Sequence, residues 1–166
     1  MTAIVVFMAL LGTLIFSRAD TVPPQLTGTW GTAASLYAGT TGQSQMFLDA
    51  DGLGMLVGST GPAHRLDGVD DGKPGPRALV GFLLHVTVDG NTLTARPFTM
   101  NPRDADMMAR ANITLTCRHD PAAATLACTG PNGTTAIHRQ SATVPADVAP
   151  MLRQARDKLR TSGTGT

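Results

Sequence analysis

The stretch LVGFLLHVTVDGNTLTARPF, residues 79–98, contains the pattern that decides the fold. An apolar and then alternating run extends from Leu79 to Val88, and a second alternating run extends from Thr92 to Phe98. Asp89-Gly90 lies between the two runs, and Asp-Gly between such runs is a strong signal for a tight β-hairpin. The stretch therefore predicts two neighbouring antiparallel strands.

The turn-forming Asp-Gly pair recurs along the chain, at Asp51-Gly52, Asp67-Gly68 and Asp71-Gly72. Several short strands separated by turn residues are typical of an all-β sandwich or barrel. The pattern predicts eight strands, at Gly28–Tyr37, Gln43–Asp49, Gly54–Ser59, Leu79–Val88, Thr92–Phe98, Ala111–His119, Thr125–Thr129 and Thr135–Ser141.

Side chains alternate between the two faces of a strand, so the apolar positions indicate which face is buried. On the fourth strand this rule turns His85 and Thr87 outward. The residues expected to point into the interior are Met46, Leu48, Met55, Val57, Phe82, Leu84, Val86 and Val88.

Two helices are predicted outside the strands. Asn101-Pro102 is an N-cap followed by proline at the first helical position, and it opens a short helix through Met107 and Met108. A C-terminal amphipathic helix is indicated by apolar residues at helical spacing, namely Val148, Leu152, Ala155 and Leu159. Gly163 is its expected stop, and residues 161–166 are expected to form a disordered tail.

The N-terminal residues predict export. An apolar run from Ala3 to Phe16 is too short to span a bilayer, and it ends at Ser17-Arg18-Ala19, a pattern typical of signal-peptidase sites. We therefore expect a signal peptide at 1–19, a linker at 20–25, a barrel domain with its helix at 26–160, and a periplasmic or secreted protein without a stable membrane anchor.

The net charge argues against two classes of partner, nucleic acid and anionic membranes. Cleavage would remove Arg18, one of the 13 basic residues, and leave the 12 acidic residues, so the mature chain carries no net charge. A neutral chain gives no electrostatic reason to bind nucleic acid or an anionic membrane surface.

The two cysteines, Cys117 and Cys128, predict a disulfide, because an isolated pair in an exported chain is usually bridged. A hairpin closed by Asp120 and Thr125 places the cysteines opposite each other in a non-hydrogen-bonded pair, the closer of the two pair types.

The segment Leu26-Thr27-Gly28-Thr29-Trp30 resembles the Gly-x-Trp opening of the lipocalin superfamily. The order of elements, eight strands and then an amphipathic helix, is similar as well. The resemblance implies an antiparallel eight-stranded lipocalin-like barrel in which Trp30 closes one end. The family's Thr-Asp-Tyr motif is missing, and small bacterial inhibitors of secreted proteases and lysozymes are similar barrels.

Catalytic and metal-binding motifs are missing from the sequence. The four histidines have no metal-ligand spacing, and the serines stand in no hydrolase motif. We therefore expect no enzymatic activity, no cofactor and no metal.

The loop from Asp67 to Arg77 is longer than a simple connection requires, and such loops often carry function. Asp67, Asp70 and Asp71 offer oxygen ligands for calcium, but the EF-hand pattern and its terminal glutamate are missing. We interpret these aspartates as a partner-binding loop, with a solvated turn as the alternative.

Two functions are favoured by this sequence, and an enzyme whose acid/base pair is assembled from residues distant in the chain is a third alternative. A barrel whose interior is lined by Met46, Leu48, Met55, Val57, Phe82 and Leu84 predicts binding of a small apolar or amphiphilic molecule. The same side chains would also fill a small barrel completely. The alternative is an inhibitor or immunity-type protein that binds another exported protein.

Overall fold

A computed structural model describes residues 21–65 and 74–163 of the chain. Eight antiparallel strands form a closed barrel in which each strand pairs with its neighbours in sequence and the last pairs with the first. The strands are β1 (Gly28–Gly31), β2 (Ser44–Leu48), β3 (Leu53–Ser59), β4 (Leu79–Asp89), β5 (Thr92–Phe98), β6 (Leu115–Asp120), β7 (Thr125–Gly130) and β8 (Gly133–Ser141). The helices are α1 (Pro102–Ala111) and α2 (Ala149–Gly163).

The predicted fold class, an all-β antiparallel barrel with a C-terminal helix, is confirmed. The predicted signal peptide, the aspartates Asp67, Asp70 and Asp71, and the last three residues lie outside the described residues. Residues 161–163, expected in a disordered tail, continue α2. No helix in the described ranges is long and apolar enough to cross a membrane.

The barrel has two different ends. At the closed end lie the short β2–β3, β4–β5 and β6–β7 turns together with the segment that precedes β1. At the open end lie the β1–β2 loop, the β3–β4 connection, α1 and the β7–β8 turn. These two names are kept below.

The closed end is plugged by Trp30, which is fully buried. Its indole Nε1 donates a hydrogen bond to the carbonyl oxygen of Leu26 at 2.8 Å, and the Arg139 guanidinium lies 5.8 Å from its ring centre. Val22 and Leu26 are buried in the same cluster, and the Val22 N–H donates to the carbonyl of Ala50. The segment predicted as a linker therefore packs into the domain, because its Val22 side chain joins the buried cluster that contains Trp30.

The disulfide joins Cys117 and Cys128 as predicted, with the Cα atoms 3.9 Å apart. The register is also as predicted, with Asp120 opposite Thr125. The N–H of His119 donates toward β5, so the odd positions of β6 direct their backbone groups away from β7. The cysteines are therefore a non-hydrogen-bonded pair.

A second apolar cluster lies outside the barrel wall, beneath α2. Phe47 and Met55 pack there against Val148 and Leu152, with Val57 at the margin. The prediction that Met55 and Val57 point inward is therefore wrong. Both faces of β3 carry apolar residues, so alternation alone did not fix its orientation, and the packing of α2 decides it.

The remaining differences concern element ends. β1 stops at Gly31 and is followed by bends, whereas the sequence predicted a strand up to Tyr37. α1 is capped by the Asn101 side chain, as predicted, but extends to Ala111 and ends at a left-handed Asn112. The helix occupies the start of the predicted sixth strand, so β6 begins later.

Candidate binding surface at the open end

The six predicted ligand-binding residues are divided among three places. Met46, Leu48 and Leu84 are fully buried inside the barrel. Met55 and Val57 lie beneath α2 on the outer face. Phe82 shares the inward face of its strand but is 40% exposed at the open end, because it lies beyond the last residue of β5 that pairs with β4. The structure therefore does not bring the six together.

The centre of the barrel is filled by side chains from all eight strands. Trp30 and His119 meet edge to face there, with ring centres 5.7 Å apart. The other fully buried members include Met46, Leu48, Leu84, Val86, Leu93, Cys117 and Leu126. The interior of the closed half is therefore a packed core.

A recess of about 230 Å³ opens at the other half of the barrel, beneath the β7–β8 turn. Its rim carries the polar side chains of Ser44, Asn132 and Thr135. Its apolar wall is formed by Met46, Leu56, Leu115, Cys128 and Ile137. Its volume is below the usual 300–1,000 Å³ of small-molecule pockets.

Exposed apolar side chains concentrate at the open end. Within the described ranges, the large hydrophobic residues that remain exposed are Tyr37, Leu79, Val80, Phe82, Met107, Ile113 and Met151. All except Met151 belong to open-end connections or to the adjoining end of β4. Clusters of exposed apolar surface mark sites of binding more often than isolated exposed residues do.

β4 extends beyond its neighbour at this end. It pairs with β3 from Leu79 to His85, whereas its pairing with β5 begins at Leu83. Among the described residues, 79–82 therefore have a strand on one side only, that of β3. This segment is called the free edge below.

The direction of the backbone groups on the free edge follows from the neighbouring hydrogen bonds. The N–H of Ser59 donates to the carbonyl of Gln43, the residue before β2, so Ser59 turns its backbone groups away from β4. Its partner across the pair is Leu79, which consequently directs its own N–H and C=O away from β3. The direction of the backbone groups alternates along a strand, so Gly81 also directs its N–H and C=O away from β3. Both residues present backbone groups on the side that β5 does not reach.

A groove of about 470 Å³ runs between the free edge and α1. Three methionines contribute to it: Met100, Met107 and Met108. Phe82, Leu83 and Phe98 form the strand side, and Asn101 and Asp104 supply polar atoms. α1 buries none of its own residues, and Met107 is 61% exposed. The apolar side of the helix thus faces a groove that no side chain in the described part of the chain fills.

A larger groove, about 640 Å³, lies outside the wall between the β1–β2 loop and the start of α2. Tyr37, Leu79 and Met151 are its exposed apolar residues, and Phe47, Met55 and Val57 form its floor. It meets the free edge at Leu79. The two grooves therefore flank the same end of β4.

Arg77 fixes the loops around this surface. Its guanidinium donates to the carbonyl oxygens of Thr41 at 2.7 Å and Thr60 at 2.9 Å, and also to those of Ala38 and Gly39. One side chain thereby joins the β1–β2 loop to the β3–β4 connection. The loops at the open end are held in place by a planar donor set that a lysine does not offer.

Charged residues at the closed end form ion pairs that hold α2 against the barrel. Arg156 on α2 pairs with Asp49 at 2.7 Å and with Asp51, both at the β2–β3 turn. The hydrogen bond that the Arg156 guanidinium donates to the Asp51 carboxylate is the main cause that raises the pKa of Arg156. Within the described residues, no group of three or more His, Cys, Asp or Glu side chains is arranged to hold a metal ion.

Comparison with protein-family models, curated proteins and solved structures finds no match for this chain.

The sequence reasoning missed the free edge and α1 as candidate binding elements. The run LVGFLL at 79–84 is apolar on both faces, which is typical of a central strand or of one covered by a helix. Only its last two residues, Leu83 and Leu84, pair with strands on both sides. A usable signal was present: Pro97 and the helix start at Asn101 limit how far the neighbouring strand can extend.

Proposed function

We propose that this chain is a non-enzymatic exported protein that binds another protein through the open end of its barrel. The observation that supports the proposal is the concentration of exposed large apolar side chains at that end. Leaving such side chains in water forgoes about 1.5–3 kcal/mol each relative to burial, so a partner that covers several of them gains free energy. The filled interior favours an outside surface over an internal cavity.

The lipocalin-like classification belongs to the same proposal. It is supported by the strand order and by the position of Trp30 at the closed end. The proposed role resembles that of small barrels that inhibit secreted enzymes, whose partners are proteins. Export is supported by the disulfide, which is typical of oxidising compartments.

Site-directed photo-crosslinking in cells of the source organism tests this function. The photoreactive residue p-benzoylphenylalanine replaces Tyr37 or Met107 at the open end, or the exposed Asn91 or Ala123 at the closed end. A discrete protein adduct from the open-end positions, without one from the closed-end positions, is the expected result. Equal labelling at both ends, or no adduct at either, would contradict the proposal.

A second candidate function is binding of a small amphiphilic molecule in the recess beneath the β7–β8 turn. The observation in its favour is the combination of an apolar wall with a polar rim, which suits a short alkyl chain and a polar head group. Thr135 and Ala136 are both exposed neighbours on β8, but only Thr135 lines the recess. Their substitution by tryptophan therefore gives a matched pair of variants.

The fluorescent amphiphile 1-anilinonaphthalene-8-sulfonate is a suitable probe for the recess. Saturable binding that is lost in Thr135→Trp and retained in Ala136→Trp supports this second function. Binding that is unchanged in Thr135→Trp places the probe elsewhere and contradicts it.

A further inference from the structure

We infer that the free edge of β4 accepts an extended apolar peptide segment of the partner protein as an added strand, with its side chains held in the groove against α1. This inference rests on the proposed protein-binding function and specifies its partner. The site consists of residues 79–82 together with Met100, Asp104, Met107 and Met108.

The backbone supplies the first argument. Leu79 and Gly81 direct N–H and C=O groups to the side that β5 leaves open. Such a row of groups is a template for a further strand, and main-chain hydrogen bonds provide affinity in this mode of recognition. An occupant that satisfies the row must itself be an extended peptide.

The groove supplies the second argument. An added strand directs alternate side chains to one face, and the groove beside the free edge offers them Phe82, Phe98 and the three methionines. Methionine is flexible and polarisable, so a methionine wall adapts to different apolar side chains. The apolar lining predicts Val, Ile, Leu or an aromatic residue on the facing side of the peptide.

Charge supplies the third argument. Asp104 is the charged residue among those that line the groove, and its Oδ2 accepts a hydrogen bond from the Asn101 side chain at 2.6 Å. It therefore stays near the N-terminus of α1, at one end of the groove. A basic residue in the peptide complements this carboxylate, so the occupant combines apolar alternation with one Lys or Arg.

Gly81 makes a precise test possible. A Cβ added there would lie 3.5 Å from Val57 Cγ2 and 3.7 Å from the Leu56 carbonyl oxygen, which is ordinary contact, so alanine fits. Proline removes the N–H that points away from β3 and leaves the β3–β4 hydrogen bonds in place, as prolines on edge strands do. Gly81→Pro therefore blocks the added strand, and Gly81→Ala is its matched control.

A phage library of random dodecapeptides is selected on the wild-type chain and then assayed on both variants. Enriched peptides should show apolar alternation with a basic residue. They should bind Gly81→Pro at least about tenfold more weakly, as expected when one peptide hydrogen bond is left unmade, and bind Gly81→Ala within about twofold. Unchanged Trp30 emission and circular dichroism show that both variants are folded.

Amide hydrogen exchange of the peptide complex gives a second measurement. The amides of Leu79 and Gly81 should exchange slowly only when peptide is bound, whereas those of Val80 and Phe82, which face β3, should be protected already in the free protein. A third variant, Asp104→Asn, tests selectivity. Loss of this carboxylate should remove the preference of the selected peptides for a basic residue.

Two outcomes overturn the inference: no peptide enriches above the Gly81→Pro background, or the enriched peptides bind Gly81→Pro as tightly as the wild type. Neither outcome affects photo-crosslinking at Tyr37 or Met107, so a partner that binds the open end in another way remains detectable. If the peptides bind as expected but no crosslinked partner is found in cells, the proposed protein-binding function is contradicted and the peptide site is still supported.

Discussion

At the scale of single residues, Gly28 explains why the Gly-x-Trp segment begins with glycine. Its φ is +111°, and an added Cβ would lie 2.2 Å from the Ser141 carbonyl oxygen. We expect Gly28→Ala to destabilise the fold by about 2–4 kcal/mol, since strain and a backbone clash both add to the cost.

Urea denaturation measures this effect, and Gly58→Ala is the control. Gly58 has no unusual φ, and its Cβ would meet no atom closer than the Gln43 carbonyl oxygen at 4.0 Å. The control should change the free energy of unfolding by no more than about 0.5 kcal/mol. Equal effects of the two substitutions would contradict the explanation.

Arg139 is the second decisive residue. Its Nη2 donates to the carbonyl oxygens of Pro24 at 3.1 Å and Thr27 at 3.0 Å while the guanidinium stacks over Trp30. Lysine keeps the charge but loses the planar donor geometry. We expect Arg139→Lys to lower the free energy of unfolding by about 2 kcal/mol, measured by urea denaturation. A variant as stable as the wild type would show that charge alone is sufficient.

At the scale of elements, the disulfide stabilises the β6–β7 hairpin by closing a short loop in the unfolded chain. The bridged cysteines are 11 residues apart, and closing such a loop contributes about 3 kcal/mol. Dithiothreitol should therefore lower the urea midpoint of the wild-type chain. A Cys117→Ala, Cys128→Ala double variant should show no response to dithiothreitol, and an equal response in both proteins would contradict the prediction.

The attachment of α2 is a separate property of an element. Arg156 joins the helix to Asp49 and Asp51, and its side chain is 24% exposed. We expect Arg156→Ala to cost about 1 kcal/mol, a small value because water screens the pair, and to speed amide exchange in the second half of α2. Exchange that is unchanged there would contradict a tethering role.

The pH dependence of this tether follows from the raised pKa of Arg156. A raised pKa gives stability that is fully present below the unfolded value and is lost as pH rises through the folded value. The pKa of an arginine lies far above neutral pH in both the folded and the unfolded protein. The contribution of the Arg156 charge is therefore constant between neutral and mildly alkaline pH, which the same exchange measurement checks.

At the scale of the whole molecule, closure of the barrel couples distant parts of the chain. β1 pairs with β8, and Trp30 on β1 lies in the cluster that all eight strands share. We therefore expect one cooperative unfolding transition. Emission from Trp30 and far-ultraviolet circular dichroism should give the same urea midpoint, and separated midpoints would show that the closed end and the rest of the barrel unfold independently.

Much of this architecture follows from local sequence. The β4–β5 hairpin was predictable because Asp89-Gly90 separates two strand-like runs, and α1 because Asn101 and Pro102 begin a helix in the standard way. The direction in which the side chains of β3 point was harder to predict from the sequence. β3 is apolar on both faces, so nothing local shows that Met55 faces α2 and Leu56 faces the interior.

The sequence by itself determined most of the strand segments, the two helices and the disulfide pairing, because turn residues, caps and alternation act over a few neighbouring positions. The closed barrel and the place of Trp30 at one end were expected only from the resemblance at Gly28-Thr29-Trp30. Only the tertiary structure decided where the barrel is filled and where its apolar surface stays open. The length by which β4 exceeds β5, the packing of α2 on the outer wall and the uncovered side of α1 all depend on distant contacts. The candidate binding surface results from those three relations.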